Sequence, residues 1–308
     1  GLHDSATTVQ VSNQQHLEFC DLELRGGYGA CLHIWSSHHI QVHDVTIGYT
    51  FKGISVNGPY EPDLPSSYCE IYDCVLDSQF TLTYNHSGVG IHDGIMSSYG
   101  HHCTYRDNVI KNWGHAGINL FCSDPQAQAG TSFNEIHGNY ITAPDVSYCR
   151  GLNTGGPEGK CSYNRIYRNY VVDTHTQNQI GGDHNEFVYN VIDGMRHAPY
   201  RAGNSANGIV LDNTSGVCHS NLFANNVIHD CDGAGIYIAN WDTANPHIYD
   251  NTLANNIIVS CGRELSHPQN ATIRTWKDSS IVVHDHEHIH DNIFESNLVY
   301  LAGVPECI

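Results

Sequence analysis

Cationic side chains are scarce in this sequence: 13 Lys and Arg stand against 32 Asp and Glu, a net charge of −19 with histidine neutral. That deficit argues against a nucleic-acid partner, because phosphate binding rests on clustered Lys and Arg. It argues, less strongly, against a polyanionic polysaccharide. No run approaches the roughly 18 apolar residues of a membrane-spanning helix, and the opening GLHDSATTVQ lacks the character of a secretory leader. A helical period of apolar residues is also missing. The twelve cysteines form no CxxC pair, so the common zinc and redox motifs are absent.

What remains is an acidic, cysteine-containing chain suited to neutral sugars or to cations such as Ca²⁺; no cofactor is implied. Asn85-His-Ser87, Asn213-Thr-Ser215 and Asn270-Ala-Thr272 are glycan-acceptor patterns. Together with the scattered cysteines they favour an extracellular, oxidising setting.

The organising feature is a repeat. Asn-x-apolar-x-x-Asn-x-apolar occurs at Asn134, Asn164, Asn185, Asn221, Asn251 and Asn292, with degenerate copies CEIYDCVL from Cys69 and CTYRDNVI from Cys103. HLEFCDLEL and HIQVHDVTI keep the alternation without asparagine, for about ten units. Steps between units run from 21 residues (Asn169 to Asn190) to 41 (Asn256 to Asn297). A fixed minimum with variable insertions is the pattern of a solenoid whose loops leave at chosen corners. Residues two apart share a face, so each unit holds two short strands separated by a bend. Runs opening on glycine, GISV from Gly53, GIHD from Gly90, GINL from Gly117, GLNT from Gly151, GIVL from Gly208 and GIYI from Gly235, supply the third face. The expected fold is therefore all-β: one parallel β-helix of about ten turns over residues 1–308, with 1–15 an irregular lead-in. Strand spacing of about 4.8 Å lets stacked asparagines bond to one another, which compensates their burial.

The repeat resembles the right-handed parallel β-helix superfamily of pectate-lyase-like proteins and glycoside hydrolases, over nearly the whole chain from about residue 16. That resemblance implies right-handedness and a scaffold shared by hydrolases, lyases, adhesins and tail spikes. Cys69 and Cys103 fall on equivalent positions of successive turns, as either a disulfide or two stacked thiols. Ends without a capping helix suggest self-association from end to end.

Chemistry is expected beside the long insertions at 59–67, 122–131, 142–160, 193–206 and 262–272, which would border a cleft along the axis. Aligning Ile180, Ile209 and Ile236 puts Asp183 and Asp212 in one column on adjacent turns, about 4.8 Å apart, near the carboxyl separation of a retaining glycosidase. In the competing register Asp183 belongs to the following turn. IGGDHNEF and GIVLDN are similar to segments of β-helix glycoside hydrolases, which implies Asp212, Asp183 and His184 as catalytic residues. Asn213 stands where those enzymes often carry a second acid. Trp241, Asp242, His92 and Asp93 are expected to bind carbohydrate. A polysaccharide lyase is the enzymatic alternative, with Arg150, Arg196 or Arg201 supplying charge; a non-catalytic surface or fibre protein is the other. HDHEHIHD at 284–291 reads as solvated surface, and no metal site is expected.

Overall fold

The computed structural model describes residues 7–26, 29–50, 52–58, 65–78, 93–122, 130–144, 149–196, 206–213, 216–239, 248–262, 281–284 and 289–300. Ten coils stack through three parallel sheets of ten strands each, and a smaller sheet of four strands joins them in the last four coils. The first strand is Val9–Ser12, inside the stretch expected to be irregular, because Val11 is buried in the core and pairs with Ile34. Among the described residues there is no helix long and apolar enough to cross a membrane.

One unit shows why the repeat folds this way. Strand Arg165–Tyr167 in the second sheet and strand Tyr170–Val172 in the third flank Arg168, whose φ of 54° bends the chain between them. The central residues Ile166 and Val171 are fully buried, and their neighbours face outward. Asn164 and Asn169, each 1% exposed, stand at the bends. Asn139 Nδ2 donates to Asn169 Oδ1 (2.9 Å) and Asn169 Nδ2 donates to Asn190 Oδ1 (3.0 Å). Each Oδ1 also accepts a backbone N–H from the preceding coil, as from Asn139 N to Asn169 Oδ1 (3.1 Å). The amides are thus spent on two ladders, one through Asn134, Asn164 and Asn185, the other from Asn108 to Asn297.

The glycine column marks the entry to the first sheet. A Cβ on Gly53 would lie 2.2 Å from the Gly94 carbonyl oxygen, and one on Gly94 would lie 2.6 Å from that of Gly117. Gly94, not Gly90, occupies the column, since Ile95 pairs with Ile54 and Ile118.

Cys69 and Cys103 are stacked as expected, and both are free; no disulfide occurs among the described cysteines. In-register parallel strands hold side chains about 4.8 Å apart, beyond the roughly 3.5–4.5 Å that a disulfide asks of its Cβ atoms. Instead Cys69 Sγ donates to Ser67 O (3.5 Å) and Cys103 Sγ to His101 O (3.5 Å).

Candidate functional site

The outer face of the first sheet carries a polar floor. Core residues alternate there with outward ones, so Ile118 and Leu120 point inward and Asn119 outward. One outward column reads His33, Ser55, Met96, Asn119 and Asn153, followed by Gln179. A second holds Trp35, Asn57, Ser98, and, on later coils, Phe121, Asp212 and Ala239.

A hydrogen-bonded chain crosses three coils of this face. Asp93 is fully buried; its Oδ1 lies 2.7 Å from His115 Nδ1 and its Oδ2 accepts from Asn119 Nδ2 (3.2 Å). Asn153 Nδ2 donates to Asn119 Oδ1 (2.7 Å), and Arg150 Nη1 donates to Asn153 Oδ1 (3.0 Å). Arg150 occupies the same column as Asp93, two coils on. Farther along the floor, burial pushes the His33 imidazole down, with Lys52 adding to the effect. A carboxylate holding one imidazole nitrogen fixes the ring's tautomer and orientation, which prepares it for proton transfer.

Asp183 and Asp212 do not share a column. Ile180 pairs with Leu211 and Asn178 with Ile209, a slip of two residues from the expected alignment. After Ile180 the chain leaves the first sheet at Gly181-Gly182, where Gly182 has φ 85° and a Cβ would meet the Cys161 carbonyl at 2.1 Å. Asp183 then pairs with His219 in the fourth sheet and makes an isolated bridge to Ser162, whereas Asp212 pairs with Ala239 in the first sheet. The expected separation of a retaining pair therefore does not follow. Asp183 accepts from Gly159 N (2.8 Å) and Ser162 Oγ (3.0 Å) and lies 2.9 Å from His184 Nδ1.

His184 ends a ring stack along the bends: His16, His39, Tyr68, His102, Phe133, Tyr163 and His184 follow one another with centroids 4.8–5.2 Å apart. A shallow groove beside it is lined by Glu135, Tyr163, Arg165, His184 and Glu186. Asp212 is 3% exposed, and its charge adds to burial in pushing up the neighbouring Cys218 thiol.

Of the other expected residues, Asp93 lies in the polar chain, while His92, Trp241, Asp242, Asn85, Asn270 and Arg201 fall outside the described residues. Asn213 is fully buried, and the other residues of its acceptor pattern, 214 and 215, fall outside the described residues. Arg196 is held by Asp230 on the next coil and by Asp232 at 3.7 Å, a structural pairing. At the histidine-rich segment, His290 Nδ1 lies 2.8 Å from Asp291, and residues 285–288 fall outside the description. His115, Asn119 and Asn153 went unrecognised in the sequence. The signal was present in GIN and GLN, which put an amide two residues after each column glycine.

Residues 65–275 match the family described as the right handed beta helix region. The chain belongs to that family. No curated protein matches it in sequence. Among solved structures, this β-helix chain is similar to an alginate lyase from Paenibacillus sp. str. FPU-7, with 14% identity, TM-score 0.53 and coverage of 84% of this chain and 76% of that one. The tailspike protein of E. coli bacteriophage HK620, in complex with a pentasaccharide, aligns with 11% identity and TM-score 0.54 over 88% of this chain and 48% of that one. The Dettilon tailspike protein aligns with 15% identity and TM-score 0.52, over 90% and 63% of the two chains. This β-helix chain thus spans about half the length of the HK620 tailspike. At such identities the likeness is one of fold.

Proposed function

We propose that this β-helix protein binds a glycan along the outer face of its first sheet and cleaves it by proton transfer through His115, oriented by Asp93. The observation that carries the reading is the chain from His115 through Asp93, Asn119 and Asn153 to Arg150, which lays donors and acceptors along three coils. Amides beside Trp35 and Phe121 suit sugars, which offer hydroxyls at their edges and apolar C–H faces. The alginate lyase and the pentasaccharide-bound tailspike support a carbohydrate ligand for this scaffold. The net charge of −19 favours a neutral glycan and hydrolysis, with Asp212 meeting the polymer farther along the face. An extracellular setting is part of the proposal, consistent with a polymeric substrate.

Arg150 favours a second reading. A guanidinium in the Asp93 column, near an oriented imidazole, matches β-elimination from a uronate: the cation neutralises the sugar carboxylate, the base removes the adjacent proton, a C=C bond forms as the glycosidic C–O bond breaks, and the leaving oxygen takes a proton from solvent. The test is a screen of neutral and uronate polymers with wild type, His115→Gln, Asp93→Asn, Asp183→Asn and Asp212→Asn. His115→Gln is expected to lower kcat/KM by about 10²–10⁴. An ultraviolet-absorbing unsaturated product assigns elimination; new reducing ends without it assign hydrolysis. Unchanged kcat/KM in His115→Gln removes the proposed centre.

A further inference from the structure

The outer face of the second sheet holds, on its first two coils, a group of side chains remote from the proposed glycan floor. Glu18 and Cys20 are the end residues of strand Glu18–Cys20, so both project to the side opposite Phe19, which packs on the core. Cys20 pairs directly with His43 on the neighbouring coil. One ligand atom from each of Glu18, Cys20 and His43 lies within 4.8 Å of the other two. His43 Nε2 is 2.8 Å from Glu18 Oε1, and His43 Nδ1 is 2.8 Å from Asp44 Oδ2. Tyr72, from the third coil, stacks on the imidazole with centroids 4.8 Å apart.

We infer that Glu18, Cys20 and His43 form a Zn²⁺ site, with Asp44 as the positioning residue behind the histidine. Sulfur, imidazole nitrogen and carboxylate oxygen together suit Zn²⁺, whereas Ca²⁺ and Mg²⁺ take oxygen ligands. Zinc bonds of about 2.0–2.3 Å place tetrahedral ligands roughly 3.3–3.8 Å apart, so the ion takes the place of the hydrogen bond between His43 and Glu18, which opens by about half an ångström, while the wider donor pairs draw in from within 4.8 Å. Asp44 supplies what a ligating histidine characteristically has, a carboxylate on the other ring nitrogen. Water completes the fourth position, because three protein donors converge among the described residues. Binding releases the Cys20 thiol proton and the proton shared by His43 and Glu18 to solvent; no electrons are transferred. Since Glu18 and Cys20 belong to the first coil and His43 to the second, the ion clamps two coils and stabilises the folded chain by mass action.

Titration of the metal-stripped full chain with Co²⁺ tests the site. Expected are tetrahedral visible bands and a near-ultraviolet thiolate-to-cobalt charge-transfer band, saturating at one equivalent and abolished by Zn²⁺. Cys20→Ser removes the charge-transfer band; the assignment is clean because the other described cysteines are buried. His43→Gln weakens binding, and Asp44→Asn keeps the bands while weakening affinity by about 10–100-fold. A spectrum unchanged by Cys20→Ser, or no charge-transfer band in the wild-type chain, overturns the proposal. The readout needs no glycan, so it stands or fails separately from the proposed cleavage.

Discussion

At the scale of single residues, the ladders turn a liability into an accounting that closes. Asn169 accepts from Asn139 N and Nδ2, and its own Nδ2 donates to Ile136 O (2.9 Å) and Asn190 Oδ1. Asn169→Ala strands several of these groups away from water, where each orphan costs about 1–3 kcal/mol. The expected loss is about 3 kcal/mol or more, read from denaturant midpoints at an unchanged m value. Asn297 is the internal control. It accepts from Asn256 (3.0 Å to N, 2.9 Å to Nδ2), but it is only partly buried, so water replaces much of what Asn297→Ala removes, and the cost falls to about 1 kcal/mol. Equal costs at the two positions would deny that burial gives the ladder its worth. Cys74 shows a natural compromise: its thiol donates to Tyr72 O (3.2 Å) and Val42 O (3.6 Å), carbonyls of the kind that Asn amides take elsewhere.

At the scale of elements, three strands per coil, the bend positions and the ladders were legible in the sequence because each depends on residues a few positions apart, whereas the four-stranded fourth sheet was not expected. The glycine column was legible except at Gly94, where Gly90 was expected, and its role is steric. Gly94→Ala would put a methyl 2.7 Å from Ile110 Cγ2 as well as against the Gly117 carbonyl, so the backbone of two coils has to shift. The expected destabilisation is about 2–3 kcal/mol by overpacking. Gly26→Ala meets nothing within 4 Å and carries only the strain of its φ of 77°, about 1 kcal/mol. Comparing the two melting curves separates crowding from backbone strain. Register across an insertion was not legible. A slip of two residues keeps the inside–outside alternation, so the sequence around Ile180 and Ile209 fits either pairing. The corner at Gly181-Gly182 decides it by carrying Asp183 out of the first sheet. The candidate centre was half legible for the same reason: Asp93 stood out as an acid beside a histidine, but its partners His115 and Asn119 come from the next coil.

At the scale of the molecule, stacking makes histidine burial a collective property. Burial pushes His33, His38, His101, His137 and His219 below the ordinary imidazole range. In the unfolded chain these groups titrate near about 6.5. Just below that pH the unfolded state binds more protons than the folded one, so stability falls as pH falls. Their contribution is complete above about pH 6.5 and is lost progressively below it, towards the folded values. His43 runs the other way: the hydrogen bonds its protonated ring donates to Asp44 and Glu18 raise its pKa, so its contribution is complete at low pH and lost as pH rises through the folded value. It is one half-buried group against five. Lower pH also relieves the repulsion of the −19 charge, an effect that salt screens. Denaturant midpoints in high salt should therefore drop between pH 7.5 and 5.5. His219 is the sharpest probe, being 6% exposed and stacked on Tyr249 at 4.6 Å. His219→Gln removes its titration, so the variant's midpoint should vary less with pH than that of the wild type. A slope as steep in His219→Gln as in the wild type would show that the buried imidazole carries none of the acid sensitivity.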